Sequence, residues 1–313
     1  MPQQDVHPAM FPFWVFGDLH YRAVVAWHKY HTLRLASMFD DLQTLWRLGE
    51  RPMFCASPGD LVETCARENY DLAKTSLKSQ LADMPFYPGV GNHEYQTGSD
   101  GGAWGSPESF HAVWQRPLRY SWEEGGYLFI MLDYPDPRTL PDADHEIAIS
   151  LETLSFLDAT LAEHKDQPAI IFLHCPLRNT VLDRDPVRHR DFSSQQSFFS
   201  PENSDEVRAI LEQRGNARLF ISGHTHSGWE APNLVVTEEL GGHPVTFVNV
   251  MSPWYTGCNT GPHLSSDLRT FEYQPDTPDV VPSFSFRLYA DHASIRVREH
   301  TGQVWLKEWN VPL

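Results

Sequence analysis

The sequence is poor in cysteine, in cations and in long apolar runs. Only four cysteines occur in 313 residues (Cys55, Cys65, Cys175 and Cys258), and no two are spaced as a close pair. That excludes a disulfide scaffold and a thiolate-rich structural zinc site, and the four read as reduced thiols that mostly pack. Lysine and arginine number 24 against 41 aspartates and glutamates, a formal net charge of −17. A field of that sign repels nucleic acid and anionic membranes, and it repels phosphate substrates unless bound cations invert it locally. No run approaches the roughly 18 apolar residues of a spanning helix. The opening Met1-Pro2-Gln3-Gln4-Asp5 lacks the basic and apolar regions of a signal peptide, so a cytoplasmic location is expected.

Hydrophobic residues make up 41% and charged residues 21%, which supports a packed core rather than disorder. Strands alternate with helices along most of the chain. Phe11 to Phe16, Pro52 to Ala56, Pro85 to Val90, Ala169 to Leu173 and Arg218 to Ser222 read as buried strands. Helical spacing covers 30–48, with Gly49 as C-cap, and then 67–84, 107–115, 151–164 and 204–214, the last with Ser204 as N-cap. Residues 120–133 read as a hairpin. The chain after 245 reads as strands at 245–251, 284–289, 294–299 and 304–309. No composition break divides residues 1–313, so one domain is expected, with polar loop inserts at about 95–106 and 178–203.

Five of these strands end in polar clusters: Asp18-Leu19-His20, Gly59-Asp60, Gly91-Asn92-His93-Glu94, His174, and His224-Thr225-His226. Ligands of αβ sheets collect at the carboxyl ends of strands. Each cluster alone is ordinary, since Asp-x-His is usually a surface pair and Gly-Asp usually a turn. Together they supply carboxylates, imidazoles and one amide without cysteine, a set that suits manganese, iron or zinc. Two such cations, roughly 3.5–4 Å apart, can clamp both the attacking and the leaving oxygen of a phosphoryl displacement.

These blocks, in this order, resemble the calcineurin-like metallophosphoesterase superfamily over Asp18 to His226. The resemblance implies an α/β fold, a four-layer αββα sandwich of two mixed sheets flanked by helices, with the C-terminal strands completing the second sheet. It implies two divalent ions, or Fe³⁺ with a divalent ion. Asp18, His20 and His226 would hold one and Asn92, His174 and His224 the other, with Asp60 bridging. A hydroxide between the metals would attack phosphorus while His93 acts as general acid, and Glu63 falls where relatives carry an acid that orients this histidine.

Departures from the pattern narrow the class. His20 stands where purple acid phosphatases have glycine, and no tyrosine ligand follows Asp60. Glu63-Thr64-Cys65 replaces the Asp-Arg-Gly of serine/threonine protein phosphatases. The charge of −17 and the lack of a basic stripe disfavour the family's nucleases. A small phosphodiester is the expected substrate, and neither nucleic acid nor a membrane is expected as a partner. A phosphomonoesterase acting on nucleotides, and a metal-binding scaffold without catalysis, stand as alternatives. Arg178, Arg184, Arg188 and Arg190 in the second insert read either as phosphate contacts or as a solvated loop. Trp104, Trp229, Trp254 and Tyr255 read either as stacking groups or, more simply, as packing. Tyr95 and His111 stay open.

Overall fold

The computed structural model describes residues 10–98, 104–139, 147–185, 190–229, 231–254, 263–264, 271–272 and 280–313. Strand β1 (Phe11–Val15) sets the pattern for the whole chain. Phe13 and Val15 turn into one buried cluster, while Trp14 and the following Phe16 turn into another. A strand covered on both faces has no polar side, which is why it reads as a continuous apolar run. β2 (Cys55–Ser57) and β3 (Phe86–Pro88) extend the sheet in parallel. On the other side of β1 lie β10 (Pro282–Leu288), β11 (His292–Glu299) and β12 (Val304–Pro312), giving the order β12-β11-β10-β1-β2-β3. The last three strands thus complete the sheet opened by the first, not the second sheet as the resemblance implied, because β10 pairs antiparallel with β1.

The second sheet comprises β4 (Tyr120–Glu124), β5 (Tyr127–Met131), β6 (Ala169–Phe172), β7 (Ala217–Ser222), β8 (Val235–Leu240) and β9 (His243–Asn249). Its order is β8-β9-β7-β6-β5-β4. Phe13 stacks at 4.6 Å on Phe286, its neighbour in the same sheet, and meets Phe129 of the other sheet edge-on at 5.6 Å, the contact that joins the two sheets face to face. Both sheets are mixed, and helices flank them. The helices are α1 (Val25–Leu45), α2 (Arg67–Leu81), α3 (Glu108–Trp114), α4 (Leu151–Glu163) and α5 (Ser204–Arg214).

Helix boundaries follow local chemistry. Leu35, Met38, Phe39 and Leu42 form the buried stripe of α1. Gly49, at φ +105°, turns the chain away after it, as its C-cap position predicts. α2 stops at Leu81, three residues short of the expected end, because Ala82 adopts φ +54°. Ser150 caps α4, its hydroxyl accepting the Thr153 N–H at 3.1 Å. Ser204 does not cap α5: it lies inside the first turn, donates to the Pro201 carbonyl at 2.5 Å and accepts the Arg178 N–H at 3.0 Å. The β8–β9 hairpin has no counterpart in the sequence reading on its β8 side. Gly241 and Gly242 form its turn with φ +60° and +83°.

α1 is pinned to the first sheet by a buried polar chain. Trp14 Nε1 donates to Ser283 Oγ at 2.7 Å, and Ser283 Oγ lies 2.7 Å from His300 Nε2. His300 Nδ1 is 2.8 Å from Asp41 Oδ2, and Arg298 grips the same carboxylate at 2.8 and 2.9 Å. The order is that of a Ser-His-Asp relay, but Ser283 is fully buried and its oxygen already accepts from Trp14, so no substrate reaches it. Among the described residues no helix is long and apolar enough to cross a membrane.

Candidate metal centre

The five polar clusters converge where β1, β2, β3, β6 and β7 end. Asp60 is the hub. Its Oδ2 lies 3.1 Å from His174 Nε2, 3.9 Å from His93 Nε2 and 4.0 Å from His20 Nε2. One group of candidate ligand atoms comprises His20, Asp60 and His226, and a second comprises Asp60, His174 and His224; within each, all atoms lie within 4.8 Å of one another. A third group, His20, Glu63 and His93, shares His20 with the first; Asp60 alone belongs to the first two, the position a bridging carboxylate would occupy. Asp18 reaches toward both groups, with Oδ1 3.4 Å from His174 Nδ1 and Oδ2 3.8 Å from His226 Nε2. Asn92 Oδ1 is 3.2 Å from His174 Nε2. All seven side chains proposed from sequence as ligands are buried together.

The backbone is bent to bring them there. His20, Asp60, His224 and His226 all adopt positive φ, at 48°, 51°, 70° and 49°. A non-glycine residue so held costs roughly 1–3 kcal/mol and persists only where its surroundings over-determine it. Those surroundings are hydrogen bonds. Asp18 accepts the His224 N–H with both oxygens, at 3.1 and 3.2 Å. Asn249 donates to the Gly223 carbonyl at 2.6 Å and accepts from Thr225 at 2.8 Å, which fixes the His224-Thr225-His226 turn. His31 of α1 donates to the Leu19 carbonyl at 2.5 Å. Gly91 must be glycine because a Cβ there would stand 2.2 Å from Asp60 Oδ1.

Glu94 supplies the strongest of these restraints. Its Oε2 accepts the N–H groups of Gly91 at 2.6 Å and Asp60 at 2.9 Å, and its Oε1 those of Leu61 at 2.9 Å and Val62 at 3.2 Å. The carboxylate is fully buried beneath the site and serves its backbone rather than a metal. Burial, with the charge of Asp60 behind it, pushes it up to about 7 against the pull of the N–H donors.

Glu63 takes a place different from the one expected. Its carboxylate hydrogen-bonds His20 Nδ1 at 2.9 Å, not His93, whose Nδ1 lies 3.8 Å away. His93 Nδ1 donates instead to the Glu63 backbone carbonyl at 2.8 Å. The residue therefore orients both imidazoles, one by side chain and one by main chain. With Nδ1 bound to Glu63, His20 presents Nε2 to the centre, the arrangement that a carboxylate imposes on a metal-binding histidine. His93 is the more open of the site's imidazoles, with 19% of its side chain exposed, and its Nε2 faces Asp60 at 3.9 Å.

The donor set fits two cations. His20 Nε2 and His226 Nε2 face each other at 3.1 Å, and His174 Nδ1 is buried without a hydrogen-bond partner. Burial alone would push His20 down, but the hydrogen bond and charge of Glu63 hold it up at about 9, so the pocket strongly favours positive charge. Burial raises Asp18, and Asp60 adds to the rise; for Asp60, burial is overcome by His174 and His93, which hold it well below the carboxylate range. Burial, with His174 nearby, lowers His224 to about 3, leaving it a neutral imidazole. All donors are nitrogen or oxygen, which fits manganese, iron or zinc.

The remaining candidates separate cleanly. Tyr95 and Trp254 are buried core, and Trp229 packs half-buried against the inter-sheet cluster. His111 is exposed and hydrogen-bonds the Arg116 carbonyl. Trp104 is exposed and pairs with Gln96 through an isolated bridge. Arg178 Nε is buried without a hydrogen-bond partner. Cys175 beside His174 is buried, and burial raises its thiol. The side chains of Arg184, Arg188 and Arg190, and residues Tyr255 and Cys258, lie outside the described residues.

The family model of calcineurin-like phosphoesterases matches residues 11–228. No curated protein matches the chain. Solved structures of similar fold include a dimetal phosphatase from Danio rerio, 16% identical, with 97% of this chain and 99% of that one covered at a TM-score of 0.60. A purple acid phosphatase from yellow lupin seeds is 14% identical, with 100% and 55% covered at a TM-score of 0.58. GAP50, described as the anchor in the inner membrane complex of Plasmodium, is 14% identical, with 97% and 89% covered at a TM-score of 0.51.

Proposed function

Because the chain belongs to the calcineurin-like phosphoesterase family, and is a metal-dependent phosphoesterase, we propose that its substrate is a small phosphodiester. The observation that carries the hydrolytic reading is the sharing of Asp60 between two groups of buried ligand atoms. Asp18, His20 and His226 would hold one cation, and Asn92, His174 and His224 the other. The bound ions would supply Lewis acidity against the phosphoryl oxygens. His93 Nε2 would hand a proton to the leaving oxygen, since Nδ1 is committed to the Glu63 carbonyl. Glu63 keeps the tautomer and direction of His20.

Charge supports the diester. Among the described residues, every ion pair of Asp18 and Asp60 is with a histidine. A diester carries one negative charge and a monoester close to two, and a chain of net charge −17 admits the former more readily. The test is turnover of bis-p-nitrophenyl phosphate against p-nitrophenyl phosphate by metal-stripped protein, with manganese, iron, zinc or magnesium added back. Preference for the diester is expected. Preference for the monoester would replace this reading with a nucleotide or small-phosphate phosphatase.

A further inference from the structure

We propose that the Tyr134 hydroxyl donates a hydrogen bond to a phosphoryl oxygen of the bound substrate, beside His174 and His224. This rests on the hydrolytic reading of the metal centre and holds for a diester or a monoester alike.

Sheet register brings Tyr134 to the site. β5 runs parallel to β6, with Met131 opposite Phe172. The pairing continues one step further, where the Leu132 N–H donates to the Phe172 carbonyl at 2.8 Å. His174 follows the end of β6 and Tyr134 follows the end of β5, so both chains leave the sheet at the same rim, where ligands of such sheets collect. This sixth strand end adds a phenol to the five polar clusters. The Tyr134 ring lies 5.8 Å from the His174 ring at 66° and 6.0 Å from the His224 ring at 62°. Both imidazoles are proposed ligands of the same cation.

Tyr134 is buried, and a buried phenol usually finds an acceptor. Tyr21 has Ser76 Oγ at 2.9 Å, and Tyr120 donates to the Pro88 carbonyl at 2.8 Å. No hydrogen bond to any of the described residues holds the Tyr134 hydroxyl. Tyr70 and Tyr95 also lack such a bond, but neither ring meets a proposed ligand: Tyr70 packs on Phe110, and Tyr95 lies under Arg138. A donor left unpaired in the interior is costly, and beside the metal centre the acceptor that would satisfy it is the substrate's own oxygen. A phenol is protonated at neutral pH, so it donates without adding charge. In a chain this poor in cations, a fixed neutral donor stabilises negative charge on a phosphoryl oxygen where no lysine or arginine is needed.

The experiment uses Tyr134→Phe, which keeps the ring against both imidazoles and removes only the oxygen. With whichever p-nitrophenyl ester the wild type hydrolyses, kcat/KM should fall by about 10- to 100-fold, the worth of one hydrogen bond to a charged oxygen. The loss should be the same on an alkyl ester, because the bond goes to an oxygen that does not leave. A loss confined to the alkyl ester would make the hydroxyl a proton donor to the leaving group and overturn the assignment. Metal titration of the stripped variant should match the wild type; weaker metal binding that accounts for the whole loss would reduce Tyr134 to a support for His174 and His224. Inorganic phosphate, followed by calorimetry on metal-loaded protein, should bind the variant more weakly. Phosphate affinity equal to wild type, or turnover equal to wild type, overturns the contact while leaving the phosphoesterase intact. Absence of metal-dependent turnover of either p-nitrophenyl ester by the wild type would instead overturn the hydrolytic reading, and the contact with it.

Discussion

Replacing Glu94 by glutamine tests whether one buried carboxylate builds the metal centre from below. Four main-chain N–H groups converge on its two oxygens, two on each. At pH 8, above its raised value of about 7, the group is an ionised acceptor on both sides. A glutamine of the same shape keeps one acceptor and turns an NH₂ toward the other pair of donors. Whichever way it flips, two buried N–H groups lose their partner, either those of Gly91 and Asp60 or those of Leu61 and Val62. Each orphaned group costs about 1–3 kcal/mol, so Glu94→Gln should lose about 2–6 kcal/mol. Global stability is typically 5–15 kcal/mol, so the variant should fold but unfold at clearly lower denaturant. The damage should also reach the metals. Asp60 sits at φ 51°, a strained backbone that the clamp maintains, and its release should weaken metal binding about 10–100-fold. The assay is urea denaturation at pH 8 together with metal titration of the stripped protein. A midpoint and metal affinity equal to wild type would refute the clamp, and Glu94 would then be no more than a buried spectator.

Three other perturbations separate the roles of neighbouring groups. Asp60→Asn should reduce occupancy at both metal positions by elemental analysis, because its carboxylate belongs to both ligand groups; retention of two ions with full activity would remove it from the bridge. His93→Ala should keep metal but lose about 10²–10⁴-fold in turnover of an alkyl ester, with a much smaller loss on a p-nitrophenyl ester, whose leaving group hardly needs a proton. Equal losses on both would argue against proton donation by Nε2. The third concerns stability. Burial lowers His300, while Arg298 and His300 outweigh burial to hold Asp41 down at about 2. Folded His300 stays neutral where the unfolded chain protonates, so stability should fall as pH drops below about 6.5; the Asp41 contribution follows, lost as pH falls from about 4 toward 2. His300→Phe should flatten the stability change between pH 7 and 5 by up to about 1.4 kcal/mol per pH unit, and identical slopes for the two proteins would refute the assignment.

Much of the centre was legible because its geometry is local. A strand buried on both faces is a run of apolar residues, and the first polar residue after it marks where the chain leaves the core. Asp18, Asp60, Asn92, His174 and His224 could each be placed at such a strand end from sequence alone. The two sheets and flanking helices follow from the same alternation. The parts missed depend on directions that spacing does not encode. Glu63 was expected at His93 because it lies three residues beyond Asp60, yet beyond the left-handed turn at Asp60 its carboxylate hydrogen-bonds His20 and stands 3.8 Å from His93 Nδ1, which bonds the Glu63 carbonyl. That turn also gathers three successive N–H groups, of Asp60, Leu61 and Val62, and so creates a demand for a buried anion that Glu94 meets. β8 was overlooked because Thr237, Glu238 and Glu239 suit a solvated edge strand, although Gly241-Gly242 before an apolar run was a usable hairpin signal. The placement of Phe198 had no local signal at all. It follows from the second insert folding back until one of its carbonyls meets His224, a contact across 26 residues that brings the insert to the metal centre.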